Sequence, residues 1–202
     1  MSVEKAALRR RFDAYRRSLN SQSYERLSEQ IVARLIELPE ITSASIVHVY
    51  WPIVTRREVD TRQLIHWLQA HQKEIVLPVV TNFTLEVTGA PRLVHVRYPG
   101  EESLRVNEWG ISEPRERDPV SVGDLDVVIV PALGADRSGH RIGYGYGYYD
   151  EFLTQTSAPK IAPLYDACLV NSIRTETYDV PMDVLVTERN LMRPSRPSVH
   201  EA

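Results

Sequence analysis

One cysteine, Cys168, is all the thiol chemistry the sequence carries. It cannot close an internal disulfide, and a cysteine-rich zinc site is excluded with it. Long apolar runs are missing as well. No window approaches the roughly 18 residues that a membrane-spanning helix needs, so no membrane interaction is expected. Met1 to Arg11 are charged and lack an apolar stretch, which argues against a secretory signal and leaves a reducing, cytoplasmic location as the expectation. There is also little excess of charge. With 24 Lys and Arg against 27 Asp and Glu, the net charge is −3. The chain as a whole therefore has no general attraction for nucleic acid or an anionic membrane, and an anionic ligand has to be met by a local basic site.

What is present suits one α/β domain. The 202 residues are 43% apolar and 25% charged, enough to bury a core without covalent staples. Residues from about Val3 to Leu19 read as a basic amphipathic helix, because Leu8, Phe12, Tyr15 and Leu19 recur at helical spacing. Ser21 to Ser23 offer caps for a second helix with Leu27, Ile31, Leu35 and Ile36 as its stripe. Ala44 to Tyr50 then reads as a strand. A helix follows, capped by Asp60 or Thr61 and carrying Leu64, Ile65 and Leu68, and then a strand over Glu74 to Val80. That order predicts a parallel βαβ unit with a right-handed crossover. Residues 81 to 125 are broken by Pro91, Pro99, Pro114 and Pro119 and suggest short hairpin strands such as Leu85–Val87 and Leu93–Val96. Asp126 to Pro131, Lys160 to Leu164 and Val184 to Thr187 read as buried core strands. The expected fold is a three-layer α/β sandwich with a mainly parallel central sheet and a small antiparallel addition. It comprises residues 1–192, followed by a Pro-, Ser- and charge-rich tail, 193–202, expected to be disordered.

Five of the nine glycines fall between Gly134 and Gly147, in a segment placed between a buried strand and a helix expected from Tyr148 to about Gln155. Glycine lets backbone N–H groups approach a ligand without a Cβ in the way. A helix start adds unsatisfied donors, so phosphate is a natural guest. Arg141 supplies a planar guanidinium suited to phosphate oxygens, and Asp150, in the first helical turns, is placed to hold a hard cation such as Mg2+. The run Gly143-x-Gly145-x-Gly147 is neither a Walker A loop nor the Rossmann fingerprint. On these residues alone, phosphate binding stands beside a plainer alternative, a tight turn that packs aromatics.

The segment from Arg141 through Asp150 (RIGYGYGYYD) resembles the signature of the 5-formyltetrahydrofolate cyclo-ligase family. Further stretches follow in that family's order: Lys5-x-x-x-Arg9, Tyr50-x-Pro52 with Glu58-Val59-Asp60-Thr61, Leu77-Pro78, Trp109-Gly110-Ile111-x-Glu113-Pro114, and Tyr178 to Asp183 through Thr187-Glu188. The resemblance covers nearly the whole chain. It departs from the usual pattern at Ala135, Tyr146, Asp166-Ala167-Cys168 and Tyr178. It implies a CoA-transferase-like form of the three-layer sandwich, with its site at the carboxyl ends of the strands.

The resemblance also implies a monomeric enzyme that uses ATP and Mg2+ to convert 5-formyltetrahydrofolate to 5,10-methenyltetrahydrofolate. Lys5, Arg9, Arg141, Gly143, Gly145 and Gly147 are then expected at ATP. Ile53, Glu58, Tyr144, Gly145, Tyr146, Gly147 and Tyr148 are expected at the folate, with Trp109 as a further wall. Asp150 and Asp179 are expected at the metal, and Arg141, Tyr148 and Glu58 at the chemistry. The rival readings are a non-catalytic folate- or nucleotide-binding module and a phosphotransferase for another small acid. The remaining residues have plainer expectations. Arg10, Arg11, Arg16 and Arg17 read as surface charges, Tyr149 as core, and Cys168 as a buried apolar group. Trp51 and Trp67 read as packing, and the six histidines as structural or exposed.

Overall fold

A computed structural model describes residues 3–80, 93–107 and 110–195. Along the chain run α1 (Val3–Ser18), α2 (Ser21–Leu35), α3 (Pro39–Thr42), β1 (Ile46–His48), α4 (Arg62–Ala70), β2 (Glu74–Val80), β3 (Leu93–Arg97), β4 (Leu104–Val106) and β5 (Ser112–Pro114). They are followed by β6 (Val127–Ile129), β7 (Gly134–Asp136), β8 (Arg141–Ile142), α5 (Tyr148–Leu153), β9 (Lys160–Pro163), β10 (Leu169–Val170), β11 (Val184–Val186) and β12 (Leu191–Met192). The expected strand over Leu85–Val87, Pro91 and the Trp109 wall lie outside the described residues, as does the tail beyond residue 195.

The central sheet has the order β12-β11-β9-β6-β1-β2-β3. Its five inner strands pair in parallel, while β3 on β2 and β12 on β11 are antiparallel. Alternation along the inner strands sets the layers. Val47, Ile75, Leu77, Val127, Ile129, Ile161, Val184 and Val186 share one core with α1, α2 and α4. Val76, Val128, Val130, Ala162 and Leu185 share the other with Phe152 and Leu153 of α5. These strands are apolar on both faces because each face is covered by helices. This is the predicted three-layer sandwich with a mainly parallel sheet. Residues 81–125 supply one antiparallel edge as expected; the other edge, β12, comes from beyond Thr187. Two small sheets, β10-β7-β8 and β4-β5, lie outside the main one.

Several local details differ from the sequence expectation. The cap of α2 is Asn20, whose side chain accepts the Ser23 N–H at 2.8 Å, so Ser21 already lies inside the helix. Before α4, the Asp60 carboxylate accepts the Arg62 N–H at 3.1 Å, while the Thr61 hydroxyl turns away and donates to the Tyr50 carbonyl at 2.7 Å. Thr61 thus ties the start of α4 to the chain leaving β1. Helix α5 ends at Leu153, two residues short of the expected Gln155. No helix among the described residues is long and apolar enough to cross a membrane.

Candidate active site

The chain leaves β1, β2 and β6 at their carboxyl ends around a cleft of roughly 330 Å³, the place where open α/β sheets usually bind ligands. Every site residue expected from the sequence and lying within the described residues lines this cleft. They arrive from four places: α1, the turn after β1, the stretch that runs from β8 through the glycine loop into the first turn of α5, and the segment before β11.

Helix α1 presents Lys5, Arg9, Phe12 and Arg16, which at 100° per residue fall within one narrow stripe. Lys5 is buried and ion-paired with Asp179. The Arg9 Nε donates to the Gly143 carbonyl at 2.8 Å, which fixes the glycine loop to the helix. The loop itself is open towards the cleft. Gly145 and Gly147 have φ of 100° and 79°, a region that only glycine enters freely. A Cβ added at Gly143 or Gly147 would meet nothing within 4 Å, so the loop backbone borders free space instead of packed protein. Arg141 donates to the Asp150 carboxylate at 2.9 Å, and its Nε is buried with no hydrogen-bond partner among the described residues. A guanidinium left with an unmet donor on a cleft wall suits an incoming anion. Because α5 has only six residues, the cationic character at this end rests on Lys5, Arg9 and Arg141, with little from a helix dipole.

The two expected metal carboxylates both line the cleft. Asp179 also accepts the Glu176 N–H at 2.7 Å, which orients it. Among the described residues no group of three or more potential metal ligands is gathered at one point. Two carboxylates completed by phosphate oxygens and water are, however, the donor set Mg2+ commonly takes. The residues present therefore fit an ion that arrives with a phosphate ligand.

The opposite end is built around Glu58, only 7% exposed. Its carboxylate accepts the Ile53 N–H and the Tyr144 hydroxyl, each at 2.7 Å. Burial raises its pKa above the ordinary carboxylate range, against the opposing pull of Arg16. Arg16, expected as a surface charge, is instead among the most deeply buried side chains at 2% exposure. Its Nε donates to the Arg56 and Arg57 carbonyls at 2.9 and 3.0 Å. Its Nη2 reaches the Tyr144 hydroxyl at 3.1 Å and lies 3.9 Å from Glu58. The reason is positional: Arg16 continues the Lys5–Arg9 stripe, so α1 turns it inward with them. That stripe was the sequence signal for it, hidden because the apolar residues Leu8, Tyr15 and Leu19 define a neighbouring face. Tyr149, expected as core, has its hydroxyl buried without a partner among the described residues, and it also lines the cleft. Trp51 packs against Tyr98 as expected of a structural aromatic, yet borders the cleft too. Arg56, which sequence reasoning did not single out, places its guanidinium 5.0 Å from the Tyr144 ring centroid.

Fold and cleft together define a three-layer α/β protein with a cationic end and an aromatic, carboxylate-bearing end joined by a glycine loop. Residues 1–188 match the 5-formyltetrahydrofolate cyclo-ligase family, and the chain belongs to that family. It is 30% identical over 177 residues to the 5-formyltetrahydrofolate cyclo-ligase of Escherichia coli K12, covering 85% of this chain and 93% of that one. The NMR structure of Aquifex aeolicus 5,10-methenyltetrahydrofolate synthetase is 32% identical, with a TM-score of 0.80 over 98% of this chain and 96% of that one. A 5,10-methenyltetrahydrofolate synthetase from Mycoplasma pneumoniae, at 22% identity, shares the fold with a TM-score of 0.73 over 92% of this chain and 99% of that one.

Proposed function

We propose that this chain is an ATP- and Mg2+-dependent ligase that closes 5-formyltetrahydrofolate to 5,10-methenyltetrahydrofolate, releasing ADP and phosphate. The observation that carries the proposal is that a single cleft joins the Lys5–Arg9–Arg141 cations to the Glu58–Tyr144 pair through the open Gly143–Gly147 backbone. Family membership supports closure of the formylated folate; the cleft offers two ends of the chemical character that a folate and a triphosphate would require.

The chemical difficulty is that a formamide oxygen is a poor leaving group. Transfer of the γ-phosphoryl group to that oxygen gives an imidate phosphate and ADP. N10 then attacks the formyl carbon and loses its proton, and the C–O bond breaks with the electron pair leaving on phosphate. No protein nucleophile is required, and Cys168 is 0% exposed, outside the cleft. The protein's contribution is positioning and charge. Lys5, Arg9 and Arg141 hold the triphosphate, and the backbone of Gly143, Gly145 and Gly147 lets its end approach the formyl oxygen closely. Glu58, fixed by Ile53 and Tyr144, orients the pterin by hydrogen bonding. Tyr144, Tyr146 and Tyr148, with Ile53, offer faces for the ring system. Asp150 and Asp179 would hold Mg2+, which supplies charge neutralisation of the phosphates when bound.

Absorbance of the methenyl product, followed with and without ATP and Mg2+, tests the reading. Product that appears only when both are present is expected. Folate binding with no product under any condition would leave a non-catalytic binding module, and the ligase reading would be wrong.

A further inference from the structure

The cations of the cleft are not all committed in the same way. Lys5 is paired with Asp179, Arg141 with Asp150, and Arg9 with the Gly143 carbonyl. Arg56 differs. It lies on the 3-10 turn Val54–Arg56 between Ile53 and Glu58, lines the cleft, is exposed, and among the described residues has no acidic partner within ion-pair distance. Nor is it loose. Its backbone carbonyl is held by the buried Arg16, its guanidinium lies over the ring of Tyr144, and that ring is itself held by hydrogen bonds to Arg16 and Glu58. The turn is fixed further by the Glu58 carboxylate on the Ile53 N–H and by Arg57 in the left-handed region, with φ of 50°. The result is an ordered, exposed cation on the cleft wall beside the Glu58 end, close enough to act on the buried Glu58 carboxyl but with no ion pair of its own among the described residues.

We propose that Arg56 is the docking point for the terminal glutamate carboxylates of the folate, a subsite that gives the cleft its preference for the glutamylated form of the substrate. This rests on the ligase reading above. The reacting formyl group sits on the pterin, which must lie against Glu58 and the glycine loop for its oxygen to meet the phosphoryl group. A folate carries its glutamate at the far end, beyond the aminobenzoyl group, so that end has to leave past the rim. An exposed guanidinium held over an aromatic face meets a carboxylate there with two parallel hydrogen bonds, and leaves its stacking contact intact.

The test compares two substrates in two proteins: 5-formyltetrahydrofolate and 5-formyltetrahydropteroate, which lacks the glutamate, each with wild type and Arg56→Ala. In wild type the KM for the pteroate should be higher by about two- to fivefold, the usual scale for losing one ion-paired contact at an exposed site. In Arg56→Ala that ratio should fall towards one, through a rise in the KM for the glutamylated compound. Arg56→Lys should keep part of the preference. A ratio unchanged by the substitution overturns the assignment, and so does a loss expressed in the KM for ATP, which would place Arg56 at the phosphates. A wild-type protein that converts neither compound overturns the ligase reading itself, whereas turnover of both with equal KM overturns only the Arg56 subsite.

Discussion

Glu58 combines burial with charge, and the two oppose each other. Its carboxyl pKa is raised mainly by burial, with Arg16, the Ile53 N–H and Tyr144 pulling it back only in part. A carboxyl whose folded pKa lies above its ordinary 4.5 favours folding fully only below that value, and the contribution is lost as pH rises through the folded pKa. Wherever Glu58 is ionised, its burial is therefore a net cost to the fold. Glu58→Gln, which resembles the neutral carboxyl in shape, should melt at or above the wild-type temperature at pH 7, with the difference shrinking towards pH 4. Turnover should fall by at least about tenfold. A lower melting temperature at pH 7 would show that the carboxylate is structural. Arg16→Met should act in the opposite sense on stability. It leaves a buried carboxylate without its nearest cation and two backbone carbonyls without a donor, a loss on the order of 3 kcal/mol by urea unfolding. It should also move the acid limb of the kcat/KM profile for the folate to higher pH, and that movement should be absent when Glu58→Gln is already in place.

Among the elements, α1 ties the site together, and its seat depends on one glycine. Phe12, 0% exposed, packs over Gly134 of β7, where an added Cβ would stand 2.5 Å from the Phe12 ring and 2.4 Å from the Cys168 carbonyl of the neighbouring segment. The backbone oxygen cannot yield as a side chain can. Gly134→Ala should therefore destabilise the protein by about 2 kcal/mol or more and raise the KM for ATP, because Lys5 and Arg9 ride on the displaced helix; chemical denaturation and initial-rate kinetics read the two effects separately. How legible the elements were in the sequence follows from their length and from how many faces they bury. The β1–α4–β2 crossover and the runs at Val127–Ile129 and Val184–Val186 stood out because apolar periodicity and strong β-formers coincide there. The sheet β10-β7-β8 did not, because strands of two or three residues carry too few side chains for any period to register, and Gly134 and Asp136 are weak β-formers. The cleft residues of the glycine loop were visible through their spacing, and Lys5, Arg9 and Glu58 through the family resemblance. Arg16 and Arg56 were missed because a charged side chain is ordinarily solvated, and only tertiary contacts turn one inward and hold the other on the cleft wall.

At the scale of the whole molecule, the two faces of the sheet are built differently. The face beneath α1, α2 and α4 carries Arg16 and Glu58 as a satisfied polar network at its edge. The face beneath α5 holds a histidine pair instead. His48 of β1 and His95 of β3 have ring centroids 5.1 Å apart, and both pack on Phe152. Neither nitrogen of His48 and not the Nδ1 of His95 finds a hydrogen-bond partner among the described residues. Burial pushes the pKa of His95 down to about 4 and that of His48 well below the ordinary 6.5, with repulsion from His95 adding to it. Both rings are thus held neutral, and the contribution they make to folding is fully present above pH 6.5 and lost as pH falls through the depressed values. Since α5 is continuous with the glycine loop, loosening of this layer reaches the cleft through Tyr148, Tyr149 and Asp150. The melting temperature should therefore drop by several degrees between about pH 6.5 and pH 4.5, and near-ultraviolet circular dichroism from the loop tyrosines should fade over the same range. In the double variant His48→Phe/His95→Phe, which keeps ring volume without a titratable nitrogen, the acid loss should flatten while Glu58, which gains stability as pH falls, continues to act in the opposite sense. An unchanged pH dependence in that variant would move the acid sensitivity away from this layer and on to the surface ion pairs.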